Sequence, residues 1–223
     1  MSAKGLSHWS GLACMVAAVL VVLATLIHPF RETPQVILEQ EFRLVSGHWL
    51  YTFFFSFLLL GLPGLYAAQS ERAGRFGLVS FLMVFFGGLF FVESNDYGFI
   101  APVLAAQAPA MLDAINRYPS VAALNLLLIV GFFLGSVCFG IATLRAGVFP
   151  RWSGILMAIG SPLFLAGGAL GQLTVEALWS VAILGTAVFG LGLGWAGYSL
   201  WSTNERARTA PLVVTPVTLP AAP

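Results

Sequence analysis

Long apolar runs alternate with short polar stretches along the whole chain. The hydrocarbon core of a bilayer is about 30 Å thick, and a helix crosses it in about 20 residues. Six runs approach that length, at residues 9–30, 47–68, 76–92, 120–144, 152–173 and 177–201. Because lipid offers no hydrogen-bond partners to the backbone, we predict that each run is a transmembrane helix.

The composition strengthens this prediction, because 59% of the residues are hydrophobic and only 9% are charged. Ordinary soluble domains have about 25% charged residues. We therefore predict an all-α fold, a polytopic membrane helical bundle in which residues 1–202 form a six-helix transmembrane domain. The first run is too long for a signal-peptide core and is predicted to stay as a span. Residues 203–223, with four prolines, are predicted to be a disordered cytoplasmic tail.

The basic residues predict the orientation of the spans. If both termini are cytoplasmic, seven of the ten lysines and arginines are inside, which follows the positive-inside rule. The inside set is Lys4, Arg72, Arg75, Arg145, Arg151, Arg206 and Arg208, and the outside set is Arg31, Arg43 and Arg117. Most acidic residues fall on the opposite side, so the outer face is predicted to be net acidic.

Two predicted outer connections are long enough to carry structure, at residues 31–46 and 93–119. In the second, residues 109–118 combine an opening proline with apolar residues at helical spacing, which predicts a short interfacial helix. Span three could instead continue past Glu93, since the following segment is also apolar. Pro102 and the polar cluster at 93–96 favour an end of the span at Glu93.

Short repeated patterns suggest that the bundle consists of three tandem helical hairpins. Trp9-Ser10-Gly11 opens the first span and Trp152-Ser153-Gly154 opens the fifth. The alternative is that aromatic residues and glycines are simply common at membrane interfaces. Glycine pairs four residues apart predict close packing of spans four to six, or contacts with a membrane-protein partner or a second copy of the chain. These pairs are Gly131 and Gly135, Gly167 and Gly171, and Gly190 and Gly194.

Two histidines and two acids are predicted to share the outer membrane boundary. His28 ends span one, His48 begins span two, and Glu93 and Asp96 end span three. Imidazoles and carboxylates are the ligand types for zinc, manganese and non-haem iron, so these four residues are a candidate metal site. The alternative is that polar residues at helix ends are ordinary, because a wet boundary costs them little.

A haem held between His28 and His48 is a second version of this hypothesis, while the absence of Cys-x-x-Cys-His excludes c-type attachment. A net charge of +1 without a basic block excludes nucleic acid as a partner. The few polar residues within the spans argue against an ion-coupled transporter. Prolines 63 and 162 nevertheless leave a small-molecule transporter open. Motifs for nucleophilic catalysis are absent from the sequence.

Several short motifs together resemble uncharacterised bacterial multi-pass membrane proteins. They are Trp-Ser-Gly-Leu-Ala at 9–13, His-Pro at 28–29, His-Trp at 48–49 and Phe-Pro-Arg-Trp at 149–152. The resemblance covers most of residues 9–201. It implies the bacterial inner, or plasma, membrane as the location and carries over no activity and no catalytic residue.

Three functional hypotheses follow. The first is a non-enzymatic membrane module that binds a partner protein, lipid or small ligand at its acidic outer face. The second is a metal- or haem-dependent membrane enzyme or redox protein that uses His28, His48, Glu93 and Asp96. The third is a small-molecule transporter.

Overall fold

The computed structural model describes the backbone of residues 3–173 and 176–209, without the side chains of 3–4, 113, 116, 172–173, 176 and 204–209. Within these residues every regular element is helical. The α-helices are α1 (Ala3–Ile27), α2 (Pro34–Glu39), α3 (Glu41–Ser94), α4 (Tyr97–Gln107), α5 (Pro109–Arg117), α6 (Pro119–Leu128), α7 (Gly135–Ala146), α8 (Arg151–Leu173) and α9 (Trp179–Thr209). A π-helical segment, Ile129–Leu134, joins α6 to α7, and a 3₁₀ turn, Glu176–Leu178, precedes α9.

Five helical stretches are long and apolar enough to cross a membrane, which identifies the chain as a membrane protein. The stretches are Gly5–Ile27, Glu41–Gln107, Pro119–Ala146, Arg151–Gly171 and Trp179–Thr203. The prediction of an all-helical chain with long apolar helices is confirmed. The predicted second and third spans both lie within the stretch Glu41–Gln107, which is 67 residues long. The last helix continues to Thr209, and residues 210–223 of the predicted tail lie outside the described residues.

The long helix α3 reverses direction at Gly74. This glycine has φ 57° and ψ −154°, a conformation outside the helical region that favours a residue without a Cβ. The rings of Tyr66 and Phe81 stack across the reversal with centroids 4.7 Å apart, and those of Phe55 and Phe91 stack at 4.4 Å. α3 therefore consists of two antiparallel arms, a first arm at 41–73 and a second arm at 75–94.

The two arms of α3 and the remaining long helices form a closed ring of six antiparallel segments. Each segment packs against its neighbours in sequence, and α9 returns to pack against α1. The ring is defined by contacts between Cys14 and Gly61, Phe55 and Phe91, Gly87 and Gly131, Phe133 and Ser161, Gly160 and Phe189, and Gly197 and Gly11. Phenylalanine rings fill its centre, among them Phe54, Phe55, Phe132 and Phe189.

The glycine pairs make close helix contacts, but over more of the ring than predicted. Gly167 faces Ala182 of α9, within the predicted group of spans. Gly131 instead faces Gly87 in the second arm of α3, and Gly190 faces the carbonyl of Ala18 in α1. The prediction that these glycines pack spans four to six together is therefore too narrow, because ring closure gives each helix two neighbours.

A small apolar cap covers the end of the ring that carries His28 and His48, here called the histidine end. Its core consists of Ile37, Leu44, Ala101, Ala105 and Leu112, from α2, α3, α4 and α5. The predicted interfacial helix at 109–118 corresponds to α5. The second arm ends at Ser94, at the predicted polar cluster, and the apolar segment that follows it becomes α4.

Candidate metal centre

The end of α1 holds His28 in a fixed position. Pro29 has no N–H and prevents the helix from continuing, so α1 ends at Ile27, directly before His28. Two long side chains then bond to carbonyls left free at this helix end. Arg43 donates from Nε to the carbonyl of Ile27 at 3.0 Å, and Trp179 donates from Nε1 to the carbonyl of Thr25 at 3.3 Å. The Trp179 ring also lies roughly parallel to the His28 ring, with centroids 6.0 Å apart.

His48 lies in the first arm of α3, opposite His28. The neighbouring Gly47 lets the helices approach, since a Cβ there would lie 3.0 Å from the His28 ring. On its other side the His48 ring contacts Gly98 of α4, where a Cβ would overlap the ring. Both histidines are buried, with 4% of His28 and 7% of His48 exposed.

Hydrogen bonds determine which nitrogen of each imidazole carries a proton. His28 Nδ1 lies 2.7 Å from the carbonyl oxygen of Pro29, so this nitrogen must donate. Asn95 donates from Nδ2 to the His48 carbonyl at 2.6 Å, so its Oδ1 accepts from His48 Nδ1 at 2.7 Å. In the neutral form, both histidines therefore present an unprotonated Nε2.

The two Nε2 atoms lie 3.2 Å apart. Two lone pairs at this distance repel one another in a buried site unless a cation or a proton lies between them. With zinc–nitrogen bonds of about 2.05 Å, this separation gives an N–metal–N angle of about 103°, close to tetrahedral. The pair therefore has the spacing of two ligands of one metal ion.

Glu32 supplies a carboxylate to the same point. Its Oε1 lies 3.6 Å from His28 Nε2, and its side chain is 20% exposed. With metal–ligand bonds of about 2.1 Å, the separation corresponds to an angle of about 120° at the metal. The ligand atoms of His28, Glu32 and His48 all lie within 4.8 Å of one another. Two histidines and one carboxylate are the ligand set of many zinc and non-haem iron sites that keep a coordination position open.

Burial keeps His28, which follows the apolar stretch of α1, in the form that binds metals. Desolvation lowers the pKa of His28 to about 4, and the nearby positive charge of Arg43 acts in the same direction, against the hydrogen bond to Pro29. Burial therefore favours the neutral imidazole. A proton shared between the two Nε2 atoms would require an imidazolium, which this burial disfavours.

The structure brings together two of the four predicted ligands. His28 and His48 meet as expected, whereas Glu93 and Asp96 are exposed and lie outside the group that Glu32 completes. Between those two acids, Asn95 is buried and orients His48. Glu32 follows His28 by four residues, but Pro29 interrupts the helix, so helical spacing could not have indicated that they meet.

A cavity of about 500 Å³ opens beside this cluster, here called the metal-site cavity. His28, Glu32, His48 and Asn95 lie at its polar end. Most of the remaining lining side chains are aromatic or aliphatic, and Ser94 and the half-exposed Asn125 of α6 also line the cavity. A metal ion on the three ligands would thus adjoin a space large enough for a small organic molecule.

The predicted haem between the two histidines does not suit this packing. A porphyrin would need a flat slot between the helices that carry His28 and His48. Those helices are in direct contact, since even a Cβ at Gly47 would press on the His28 ring. The close nitrogen pair suits a single ion, which needs no such slot.

The chain matches no protein-family model, no curated protein and no solved structure. The chemistry of the cluster and its cavity is therefore the basis for a functional proposal.

Proposed function

We propose that this protein is a metal-dependent membrane protein that holds one divalent transition-metal ion on His28, His48 and Glu32. The observation that carries the proposal is the pair of buried Nε2 atoms 3.2 Å apart, each unprotonated because its Nδ1 donates elsewhere. A buried arrangement of this kind is costly without a cation. Hydrogen bonds from ligating histidines to a carbonyl and an amide oxygen are the usual way in which proteins orient metal ligands.

The ligand set favours zinc or ferrous iron over magnesium or calcium, which prefer oxygen ligands. Three protein ligands leave a coordination position for water or for an oxygen of a bound molecule. When bound, such an ion supplies Lewis-acid chemistry to that oxygen. Because the cavity adjoins the ligands, the open position has room for a substrate.

This proposal gives the metal hypothesis priority over the other two predicted functions. Packed phenylalanines lie in the centre of the ring beyond the cavity, which supports a binding site rather than a transport path. A partner protein or a second copy of the chain stays a prediction. The glycines expected at such an interface, among them Gly131 and Gly167, contact helices of the same chain.

We also propose that the six ring segments span a bacterial inner membrane with both termini in the cytoplasm. The distribution of lysine and arginine supports this orientation. It puts the metal centre near the outer boundary of the bilayer, beneath the cap.

Metal binding by purified protein tests the proposal. The protein is extracted in detergent, stripped with a chelator, incubated with Zn²⁺ or Co²⁺, desalted, and analysed for metal by mass spectrometry. We expect about one ion per chain. Co²⁺ should also give the visible absorption of a low-coordinate site. His28→Ala and His48→Ala should abolish both signals, and Glu32→Gln should weaken binding.

Two residues of the same chain provide matched controls. His8 lies at the opposite end of α1, and Glu39 pairs with Gln35 on α2 at 2.8 Å. His8→Ala and Glu39→Gln should leave the metal content unchanged. A wild-type protein that retains no Zn²⁺ or Co²⁺, or a His28→Ala/His48→Ala double variant that retains the wild-type amount, would overturn the proposal.

A further inference from the structure

The metal-site cavity is divided into a polar end and an apolar body. The polar end carries the three candidate ligands. The body is lined by Phe55, Phe91, Leu128, Phe133, Phe164 and Leu165. A molecule that fills this space needs a polar group at one end and a hydrocarbon portion at the other, because an apolar wall offers a polar group no hydrogen bonds.

The cavity opens between α6 and α8, on the side of the helix bundle that faces away from its centre. Ile129, at the start of the π-helical segment, and Ala169, in α8, both line the cavity and are both exposed. Gly168 beside them is open, since a Cβ there would meet no atom within 4 Å. All three positions lie within candidate membrane spans, so the surface they share faces lipid rather than water.

The π-helical segment lies where α6 and α8 separate. Beyond it, α7 packs along α8, with Gly140 against Gly154, and Ser161 donates to the carbonyl of Phe133 inside the segment at 3.0 Å. Before it, α6 packs against α3 and α5, with the cavity between it and α8. π-Helical turns within α-helices frequently occur at functional sites.

The charge of the loaded centre indicates the head group of such a molecule. Two neutral imidazoles and one carboxylate leave a divalent ion with a net positive charge. An anionic or strongly polarised oxygen, such as that of a carboxylate or a carbonyl, would complete its coordination.

We infer that the metal-site cavity binds a long-chain carboxylic acid or ester that enters from the bilayer between α6 and α8. The hydrocarbon chain lies along the phenylalanine side chains that line the body of the cavity, and a carboxylate or carbonyl oxygen occupies the open position on the metal. This inference rests on the proposed metal centre.

Co²⁺-loaded protein in lipid nanodiscs tests the inference, because the visible spectrum of Co²⁺ changes when an oxygen ligand binds. Dodecanoate is compared with butyrate, and methyl dodecanoate takes the place of the acid in a separate titration. We expect dodecanoate, its methyl ester, or both to change the spectrum at concentrations at least roughly tenfold below that of butyrate. Metal content is measured in every sample.

Gly168 lines the cavity, so Gly168→Phe fills part of its space, whereas Ala166→Phe adds the same ring to an exposed position of α8 that does not line the cavity. Each long-chain ligand partitions into the lipid to the same extent whichever variant the nanodisc contains, so a difference between the variants reports on the cavity. Gly168→Phe should remove the preference for the long chain and leave butyrate binding intact, and Ala166→Phe should behave as wild type. Loaded wild-type protein that shows no preference, or a preference that survives Gly168→Phe, would overturn the inference alone. Failure to take up Co²⁺ would overturn the metal centre itself.

Discussion

At the scale of single residues, His48 shows how a side chain is oriented by atoms distant in sequence. Its Nδ1 donates to Asn95, which in turn donates to the carbonyl of His48. The amide thus holds both the ring and the backbone of the same residue. A neutral imidazole could otherwise carry its proton on either nitrogen. This pair of bonds holds the proton on Nδ1 and leaves Nε2 free to bind the metal.

Asn95→Ala should weaken Zn²⁺ affinity roughly 10- to 100-fold, as is usual when a group that orients a metal ligand is removed. The ligands themselves are retained, so the spectrum of bound Co²⁺ should persist at saturating metal. Competition with a chromophoric chelator measures the affinity. Ser94→Ala, which changes an adjacent residue that also lines the cavity, is the control. Equal affinities of the two variants would contradict the role assigned to Asn95.

Glutamine variants test whether the carboxylate ligand is Glu32, as the structure indicates, or Glu93, as the sequence predicted. Glu32→Gln removes the negative charge beside His28, while Glu93→Gln changes an exposed acid outside the cluster. We expect Glu32→Gln to lower Zn²⁺ affinity at least roughly tenfold, since one ligand loses its charge, and Glu93→Gln to have no effect. If Glu93→Gln lowers the Zn²⁺ affinity more than Glu32→Gln does in the same chelator competition, the ligand set predicted from the sequence is the correct one.

At the scale of elements, glycines set the distances between helices that carry the site. Gly98 lets the start of α4 lie against the His48 ring, and Gly87 lets the second arm of α3 lie against the backbone of the π-helical segment. Without a Cβ, two backbones can approach to the distance that membrane helices need for packing.

Gly98→Ala should abolish or strongly reduce metal binding without unfolding the bundle, because the added methyl overlaps the His48 ring and displaces it. Gly168→Ala adds the same methyl in open space and should bind metal normally. Metal content and circular dichroism are measured together. If Gly98→Ala retains wild-type affinity, His48 does not depend on this contact.

Adjacent glycines in the second arm of α3 provide a comparison for stability. A Cβ at Gly87 would overlap the backbone of Phe132, whereas one at Gly88 would lie 3.3 Å from a terminal methyl of Leu59, which can move. Gly87→Ala should destabilise the protein by about 1–3 kcal/mol, the usual cost of overpacking, and Gly88→Ala by less. Thermal unfolding in detergent measures both, and a larger effect of Gly88→Ala would contradict this packing.

At the scale of the whole molecule, ring closure puts both ends of the described chain at one end of the bundle and the metal centre at the other. Gly11 near the start of α1 contacts Gly197 in α9, and Gly154 in α8 contacts Gly140 in α7. Gly11 and Gly154 occupy equivalent positions in the predicted Trp-Ser-Gly repeat, and their two contacts are therefore equivalent. They join the first and fifth segments to the segments that precede them in the ring.

The proposed orientation predicts which positions a membrane-impermeant maleimide reaches in cells with a permeabilised outer membrane. Met111→Cys lies on the exposed face of α5 in the cap, and Arg75→Cys lies at the reversal of α3. In a Cys138→Ala background, with Cys14 buried, we expect labelling of Met111→Cys and protection of Arg75→Cys until the inner membrane is opened. The opposite labelling pattern would show that the orientation in the membrane is the reverse of the one proposed.

The amino-acid sequence by itself determined the apolar segments and the approach of His28 to His48. Both depend on local features, namely the length of each apolar run and the alternation of helix direction. It could not select Glu32 over Glu93 and Asp96, since the residues between His28 and Glu32 are not helical and their path depends on the packing of the cap. The ring closure and the cavity between α6 and α8 were decided by tertiary structure alone. Each arises from contacts between residues far apart in the chain, which no local pattern encodes.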